Sequence, residues 1–262
     1  MPRPEEILYP TTKERFEDRR NEGEQRRLRG EFFDHSTLLA VSRLVTQGQF
    51  DALDYPIATG KEGGVFRATS GETFRAVKVY RIGNSIFRRL PPYAIEELRK
   101  EASDRNFAGL VFAWTRREHT ILRRLYAAGV RVPQPYGYRR NVLVMDFIGT
   151  EGIAAPRLKE SVVSDPAQLY EDLVTQVRRM VVDAHLVHGD LSPYNILLAQ
   201  DLPVLIDVAQ SISSLHPQAK TLLARDIANF AKYFRRLGLK SDAREMFQSV
   251  GGDTVSLPRG TT

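Results

Sequence analysis

The run His188-Gly189-Asp190-Leu191-Ser192-Pro193-Tyr194-Asn195 lies between apolar residues and is followed by Pro203-Val204-Leu205-Ile206-Asp207. It holds the densest set of reactive polar groups in the chain. Asn195 comes five residues after Asp190, and Asp207 comes seventeen after it, at the end of a strand-like run. A carboxylate that can take a proton, an amide that can hold a cation and a second cation-binding carboxylate, in that order, suit metal-assisted phosphoryl transfer. Singly, each reads as turn chemistry, because Asp and Asn favour loops. Their joint spacing carries the inference. His185 and His188 raise a metal-hydrolase reading, but His35, His119 and His216 stand in scattered contexts and make no second pair. His188 is expected to hold backbone by hydrogen bonds instead.

Two upstream features supply what a phosphate chain needs. Ala58-Thr59-Gly60-Lys61-Glu62-Gly63-Gly64-Val65 joins two expected strands, and its glycines let backbone N–H groups approach phosphates. A hairpin turn would use the same residues. Because a strand follows, and not a helix, the loop is not of the Walker type. Lys78 sits inside the apolar strand Ala76-Val77-Lys78-Val79-Tyr80, where a buried ammonium requires a carboxylate. Glu118 interrupts the apolar stripe of a helix, four residues after Trp114 and three before Ile121, and requires a cation for the same reason. Each explains the other, as an ion pair that would set Lys78 against the α- and β-phosphates of a nucleotide.

These residues need elements to position them. Asp34 to Ser36 opens a helix that Ser36 is placed to cap and that ends near Gly48. Ile57–Thr59, Val65–Thr69 and Phe74–Tyr80 read as a β-meander with a Ser70-Gly71 turn. Residues 81–110 read as a long excursion, helical around Ile95 to Ala102. A helix from about Leu110 to Ala128 buries Trp114, Ile121, Leu122, Leu125 and Tyr126, and Gly129 stops it. Val142 to Ile148 is a buried strand. Asp165, Pro166 and Gln168 start a helix that buries Leu169, Leu173, Val177, Met180 and Val181. A last helix spans about Gln218 to Leu237.

The bulk properties are those of a globular chain. With 262 residues, 42% apolar, 27% charged and no cysteine, it needs no covalent staples and offers no thiol chemistry. The net charge of +6 favours polyanions without naming one. No apolar run approaches a membrane span and Met1 to Glu6 is polar, so a cytoplasmic protein with no membrane partner is expected.

From about Asp34 to Leu239 the chain resembles the RIO-type atypical serine/threonine protein kinases, most closely their type-one branch in its archaeal form. The resemblance rests on Ala58 to Glu62, Val77 to Gly83, Trp114 to Glu118, Val142 to Gly149, Leu186 to Leu198 and Ile206 to Ser211. It implies an α+β, bilobal protein-kinase-like fold. The expected parts are a charged flexible arm (1–33), an N-terminal helical extension (34–52), a small β-rich N-lobe (53–149), a truncated, mainly helical C-lobe (150–250) and a disordered tail (251–262).

ATP would lie between the lobes, with its phosphates at Thr59, Gly60, Lys61 and Glu62. Its adenine would bond to backbone of Asp146 and Ile148, behind Met145. Asp190 would be the base, and Asn195 and Asp207 would hold Mg2+, for which Mn2+ could substitute. Asp207 would also accept a transient phosphoryl group. The resemblance implies ATP hydrolysis, self-phosphorylation, for which Ser85 and Ser103 in the excursion are candidate sites, and action on the precursor small ribosomal subunit, through its rRNA and protein, late in maturation. It leaves the oligomeric state open.

The departures matter too. Val208-Ala209 follows Asp207 where other protein kinases have Phe-Gly, and no Ala-Pro-Glu segment appears. With 55 residues after Asp207, too few for both an activation segment and the helices of a full peptide-binding subdomain, no platform for extended peptide substrates is expected. Two other readings stay open here: a small-molecule phosphotransferase of the aminoglycoside- or choline-kinase kind, and an ATP-sensing module that docks on ribosomes.

Overall fold

The computed structural model of the protein describes residues 32–82, 90, 92–102, 104 and 106–255. Residues 1–31, 83–89 and 256–262 lie outside that set, as do Ser85 and Ser103. The chain divides into two compact units, Met1–His119 with Pro135–Phe147, and Thr120–Gln134 with Ile148–Thr262.

The first unit opens with helix α1 (His35–Thr46). Asp34, and not Ser36, is its N-cap: the backbone there is extended, and the carboxylate accepts the Thr37 N–H at 2.7 Å. Ser36 already lies inside the first turn, where its hydroxyl cannot reach forward to an open N–H. The expected meander forms with longer strands, β1 (Ala52–Thr59), β2 (Gly63–Ser70) and β3 (Thr73–Tyr80). With β4 (Pro135–Arg139) and β5 (Val142–Asp146) they make one antiparallel sheet in the order β1-β2-β3-β5-β4.

Alternation then sorts the two faces. Phe66, Ala68, Val77, Val79, Val142 and Val144 pack with Ala40, Val41 and Leu44 of α1 in one core. The other face carries Val65, Lys78 and Leu143 in one row and Ala76 beside Met145 in the next. Phe32 and Phe33, expected to belong to the flexible arm, join the first core: Phe32 is buried, and both rings pack on Phe66.

Within the expected excursion the chain forms α2 (Pro92–Glu101) and then α3 (Phe107–Ala127). Trp114, Ile121, Leu122 and Leu125 are buried on α3 as the spacing requires, but Tyr126, at the margin of the stripe, is exposed. The end of α3 and the connector Val130–Gln134 belong to the second unit, not to the N-terminal lobe as expected. Hydrogen bonds hold them there. The Arg131 N–H donates to Gln176 Oε1 at 2.7 Å, its guanidinium pairs with Asp172 at 2.8 Å, and its carbonyl accepts the Leu205 N–H at 2.9 Å.

The second unit continues through a short hairpin, β6 (Gly149–Thr150) and β7 (Ile153–Ala154). In α4 (Pro166–Arg178) Asp165 is the N-cap, accepting the N–H groups of Ala167 and Gln168, and Pro166 follows at the first helical position. The helix runs on into a single π turn, Arg179–Asp183. Strand β8 (Leu186–Val187) pairs with β11 (Ile212–Ser213), and between them β9 (Ile196–Ala199) and β10 (Leu202–Leu205) form a hairpin. Helix α5 (Ala219–Arg236) buries Leu222, Leu223, Ile227, Phe230 and Phe234.

A further helix, α6 (Ala243–Ser249), was not expected; Asp242 caps it. The tail is not disordered throughout. Gly252–Thr254 makes a 3-10 turn, and Val255 is buried, because the apolar Val250 and Val255 on either side of that turn both find core. No helix among the described residues is long and apolar enough to cross a membrane.

Candidate active site

The sheet unit brings Lys78 and Glu118 together, as their separate sequence contexts require. The ammonium lies 2.8 Å from Glu118 Oε1, with the lysine side chain 12% and the glutamate side chain 2% exposed. Lys78 sits in the third sheet position, flanked by Val65 and Leu143, so its strand is central and not an edge. Tyr80, two residues on and on the same face, donates its hydroxyl to the other Glu118 oxygen. Burial, then the adjacent Glu118 charge, pushes the Tyr80 phenol well above its ordinary range, so it remains a donor. The carboxylate therefore meets a cation on one oxygen and a hydroxyl on the other, which is what allows a charge in so dry a place. Tyr80 was visible in the sequence beside Lys78, but nothing in the pattern assigned its hydroxyl a partner.

Thr59, Gly60, Lys61 and Glu62 form the connection between β1 and β2. Thr59 pairs with Gly64 at its base, the Gly60 N–H donates to the Gly63 carbonyl at 2.9 Å, and the Glu62 carbonyl accepts the Arg81 N–H at 3.0 Å. A Cβ on Gly63 would stand 2.5 Å from the Val79 carbonyl oxygen, so glycine there is set by backbone packing against β3. Met145 lies on the Lys78 face of β5. Asp146 ends that strand, accepts the Tyr136 hydroxyl at 2.5 Å and lies 3.8 Å from Arg75. Ile148 opens the next segment, with its carbonyl accepting the Ala155 N–H at 2.9 Å.

In the helical unit, the β9–β10 hairpin determines which residues meet. Its two-residue turn, Gln200 and Asp201, has φ of 50° and 62°, the twist that hairpins of this length favour. Register pairs Ile196 with Leu205, and one rung further the Ile206 N–H donates to the Asn195 carbonyl at 3.0 Å. Asp207 is thereby held one residue from Asn195's partner. The Asn195 amide nitrogen donates to the Asp190 carbonyl at 2.7 Å and to its carboxylate at 3.3 Å, leaving the amide oxygen as the atom that could face a cation. Asp190 is exposed, while Asn195 and Asp207 are half-buried. Asp207 has φ 57° and ψ 46°, a left-handed conformation that aspartate tolerates and that clusters at functional sites.

His188 does what the sequence suggested for it. Its Nε2 lies 3.1 Å from the Ile206 carbonyl, and since a carbonyl only accepts, that nitrogen carries the proton. Burial lowers its pKa against the opposing pull of that bond and of Asp190 and Asp207, so the ring is neutral. Among the described residues no three His, Cys, Asp or Glu side chains cluster to hold a metal. A carboxamide oxygen and a carboxylate at Asn195 and Asp207 are hard oxygen donors that fit a magnesium ion taking its other ligands from phosphates and water.

Asp226 went unnoticed in the sequence. It stands four residues after Leu222 and four before Phe230, on the buried stripe of α5, and is 1% exposed. The context that singled out Glu118 was present here also.

An antiparallel five-stranded unit with a lysine–glutamate pair, followed by a helical unit with a His-Gly-Asp loop and the Asn195 and Asp207 side chains after it, defines a bilobal α+β chain of protein-kinase-like fold. The RIO domain family matches residues 64–246, and the chain belongs to that family. It is 40% identical over 239 residues to the RIO-type serine/threonine-protein kinase Rio1 of Haloferax volcanii, covering 91% of this chain and 82% of that one. Against the Rio1 kinase of Methanocaldococcus jannaschii it is 33% identical, with 93% and 83% covered. Among solved structures, the Rio2 kinase-ADP/Mg2+-phosphoaspartate complex from Chaetomium thermophilum superposes with a TM-score of 0.61 at 23% identity, covering 84% of this chain and 68% of that one. This last likeness is one of fold.

Proposed function

We propose that the protein is an ATP- and magnesium-dependent serine/threonine kinase that also hydrolyses ATP, with Asp190 as the base and Asn195 and Asp207 as the magnesium ligands. The observation that carries this reading is the contact of Asn195 with both the backbone and the carboxylate of Asp190, on a hairpin whose register puts Asp207 beside it. Asp190 takes the proton of the attacking hydroxyl as its oxygen bonds to the γ-phosphorus and the bond to ADP breaks. Bound magnesium would neutralise phosphate charge. Lys78, oriented by Glu118 and Tyr80, holds the α- and β-phosphates, with the backbone of Thr59 to Glu62 along the chain of phosphates. Backbone groups of Asp146 and Ile148, next to Met145, take the adenine edge.

The hydrolytic branch would use Asp207. Its carboxylate attacks the γ-phosphorus, ADP leaves, and water then releases phosphate and restores the carboxylate. The Chaetomium thermophilum Rio2 structure is itself a complex with ADP, Mg2+ and a phosphoaspartate, which supports such a step here by analogy. In this reading the chain acts in the cytoplasm on the precursor small ribosomal subunit, and the net charge of +6 supports contact with rRNA.

The test is incubation with γ-labelled ATP and magnesium, with and without choline or an aminoglycoside. Label on the protein's serines or threonines and released phosphate are expected, both lost in Asp190→Ala. An acid-labile acyl phosphate should vanish in Asp207→Asn. Label transferred to the small alcohols would overturn the reading. For the ribosomal role, Asp207→Ala should stay bound to precursor particles that the unaltered protein leaves. Equal release would remove that part.

A further inference from the structure

The end of β5 is clamped by side chains that phosphoryl transfer itself does not use. Alternation puts Asp146 on the α1 face of the sheet, with Val142 and Val144, opposite Arg75 of β3 in register. There its carboxylate accepts the Tyr136 hydroxyl at 2.5 Å and lies 3.8 Å from the Arg75 guanidinium. Tyr136 stands at the irregularity of β4 between Pro135 and Gly137, and its ring packs against the α1 core. Arg75 covers that ring, with its guanidinium carbon 3.9 Å from the centroid. The next side chain, Phe147, meets Phe74, which shares the Lys78 face of β3, with ring centroids 5.8 Å apart. The peptide joining Asp146 to Phe147 is thus fixed by one side chain on each face of the sheet.

We propose that Tyr136, with Arg75, is a positioning residue for nucleotide selection: by holding the Asp146 carboxylate on the α1 face it fixes the direction of the Asp146 carbonyl, so that the site favours a purine with an amino group at C6 over one with an oxygen there. The proposal rests on the reading in which backbone of Asp146 and Ile148 takes the adenine edge. A carbonyl only accepts, so it pairs with the amino N–H of adenine and faces the C6 oxygen of hypoxanthine as acceptor against acceptor. That mismatch costs binding only where the carbonyl cannot turn aside. A peptide free to rotate relaxes and loses the preference, whereas a clamped one keeps it. The Arg75 and Asp146 side chains are 22% and 33% exposed, and pairs so placed add little to stability. Losing the Tyr136 hydroxyl should therefore change the aim of the carbonyl more than the fold.

The experiment compares the full chain with its Tyr136→Phe, Arg75→Met and Asp146→Ala variants, measuring by calorimetry the dissociation constants of ATP and of inosine triphosphate in the presence of magnesium, together with kcat for ATP. Tyr136→Phe removes one hydroxyl and keeps the ring that packs on the α1 core, so it folds even if Asp146→Ala does not. The unaltered protein should bind ATP about tenfold or more tightly than inosine triphosphate. In Tyr136→Phe that ratio should fall to about threefold, through weaker binding of ATP, with kcat at saturating ATP within about twofold. Asp146→Ala should match it, the two changes together should lower the ratio no further, and Arg75→Met should fall between. A merely structural loosening would weaken both nucleotides alike. That outcome, or an unaltered ratio in Tyr136→Phe, would overturn the proposal. Equal binding of the two nucleotides by the unaltered protein would instead remove the adenine reading and the proposal with it, so the two failures are distinguishable.

Discussion

In the sheet unit the charged groups themselves are buried: Glu118 is 1% exposed, Lys78 is packed among strands, and Tyr80 closes the set. In the helical unit the Asp190 carboxylate is exposed, and burial falls on His188, bonded to the Ile206 carbonyl, and on Asp226, which accepts the Gly189 N–H. The difference follows from what each region would hold. A cation set against phosphates gains from a dry, rigid mount, because its field is screened less there. A base that must meet an incoming hydroxyl needs access, so its rigidity has to come from backbone tied to the interior. Damage to the first region should appear as lost stability, and damage to the second as lost rate.

Asp190→Ala should give the largest effect, a loss of about 10²- to 10⁴-fold in kcat with an unchanged melting temperature, read from phosphate release and calorimetry. Glu118→Leu reverses that pattern. It leaves Lys78 buried without its carboxylate and should lower unfolding free energy by about 3–5 kcal/mol in urea titration. Adding Lys78→Met should restore much of that stability while ATP binding stays lost. Equal destabilisation by the single and double changes would mean that the pair is not what makes Glu118 tolerable.

A pH series sharpens the comparison further. Asp226 has a folded pKa raised to about 7 above its unfolded value, so its contribution to stability is full at low pH and is lost as pH rises toward 7. His188 has a folded pKa below its unfolded value of about 6.5, so its contribution is full above that pH and is lost as pH falls. Asp226→Asn should therefore gain stability relative to the unaltered protein between pH 5 and 8, on the order of a few kcal/mol. The smallest effect expected is that of Asp34→Ala, which removes the α1 cap for about 1 kcal/mol and leaves kcat alone.

Much of this was legible in the sequence where a local rule has one cause. Glu118 on an apolar stripe demanded a cation, Lys78 within an apolar strand demanded a carboxylate, and the two meet. The Asp165-Pro166 start of α4 and the glycine stop after α3 are local chemistry and appear as expected. The α1 cap moved from Ser36 to Asp34 because both types cap well and only backbone geometry chooses between them. Helix α6 was missed because seven residues carry too little periodicity to register. The end of α3 changed units because Gln176, Asp172 and Leu205, distant in sequence, bind Arg131.

What the sequence by itself determined is the set of reactive residues, their order and the strands and helices that bear them, since these depend on side-chain type and on periods of two and 3.6. Tertiary structure alone decided that the Tyr80 hydroxyl completes the Glu118 site, that a hairpin register sets Asp207 beside Asn195, and that Asp226 accepts the Gly189 N–H. The physical reason is that these are contacts between segments far apart in the chain, and a buried polar group's partner is settled only when packing removes its access to water.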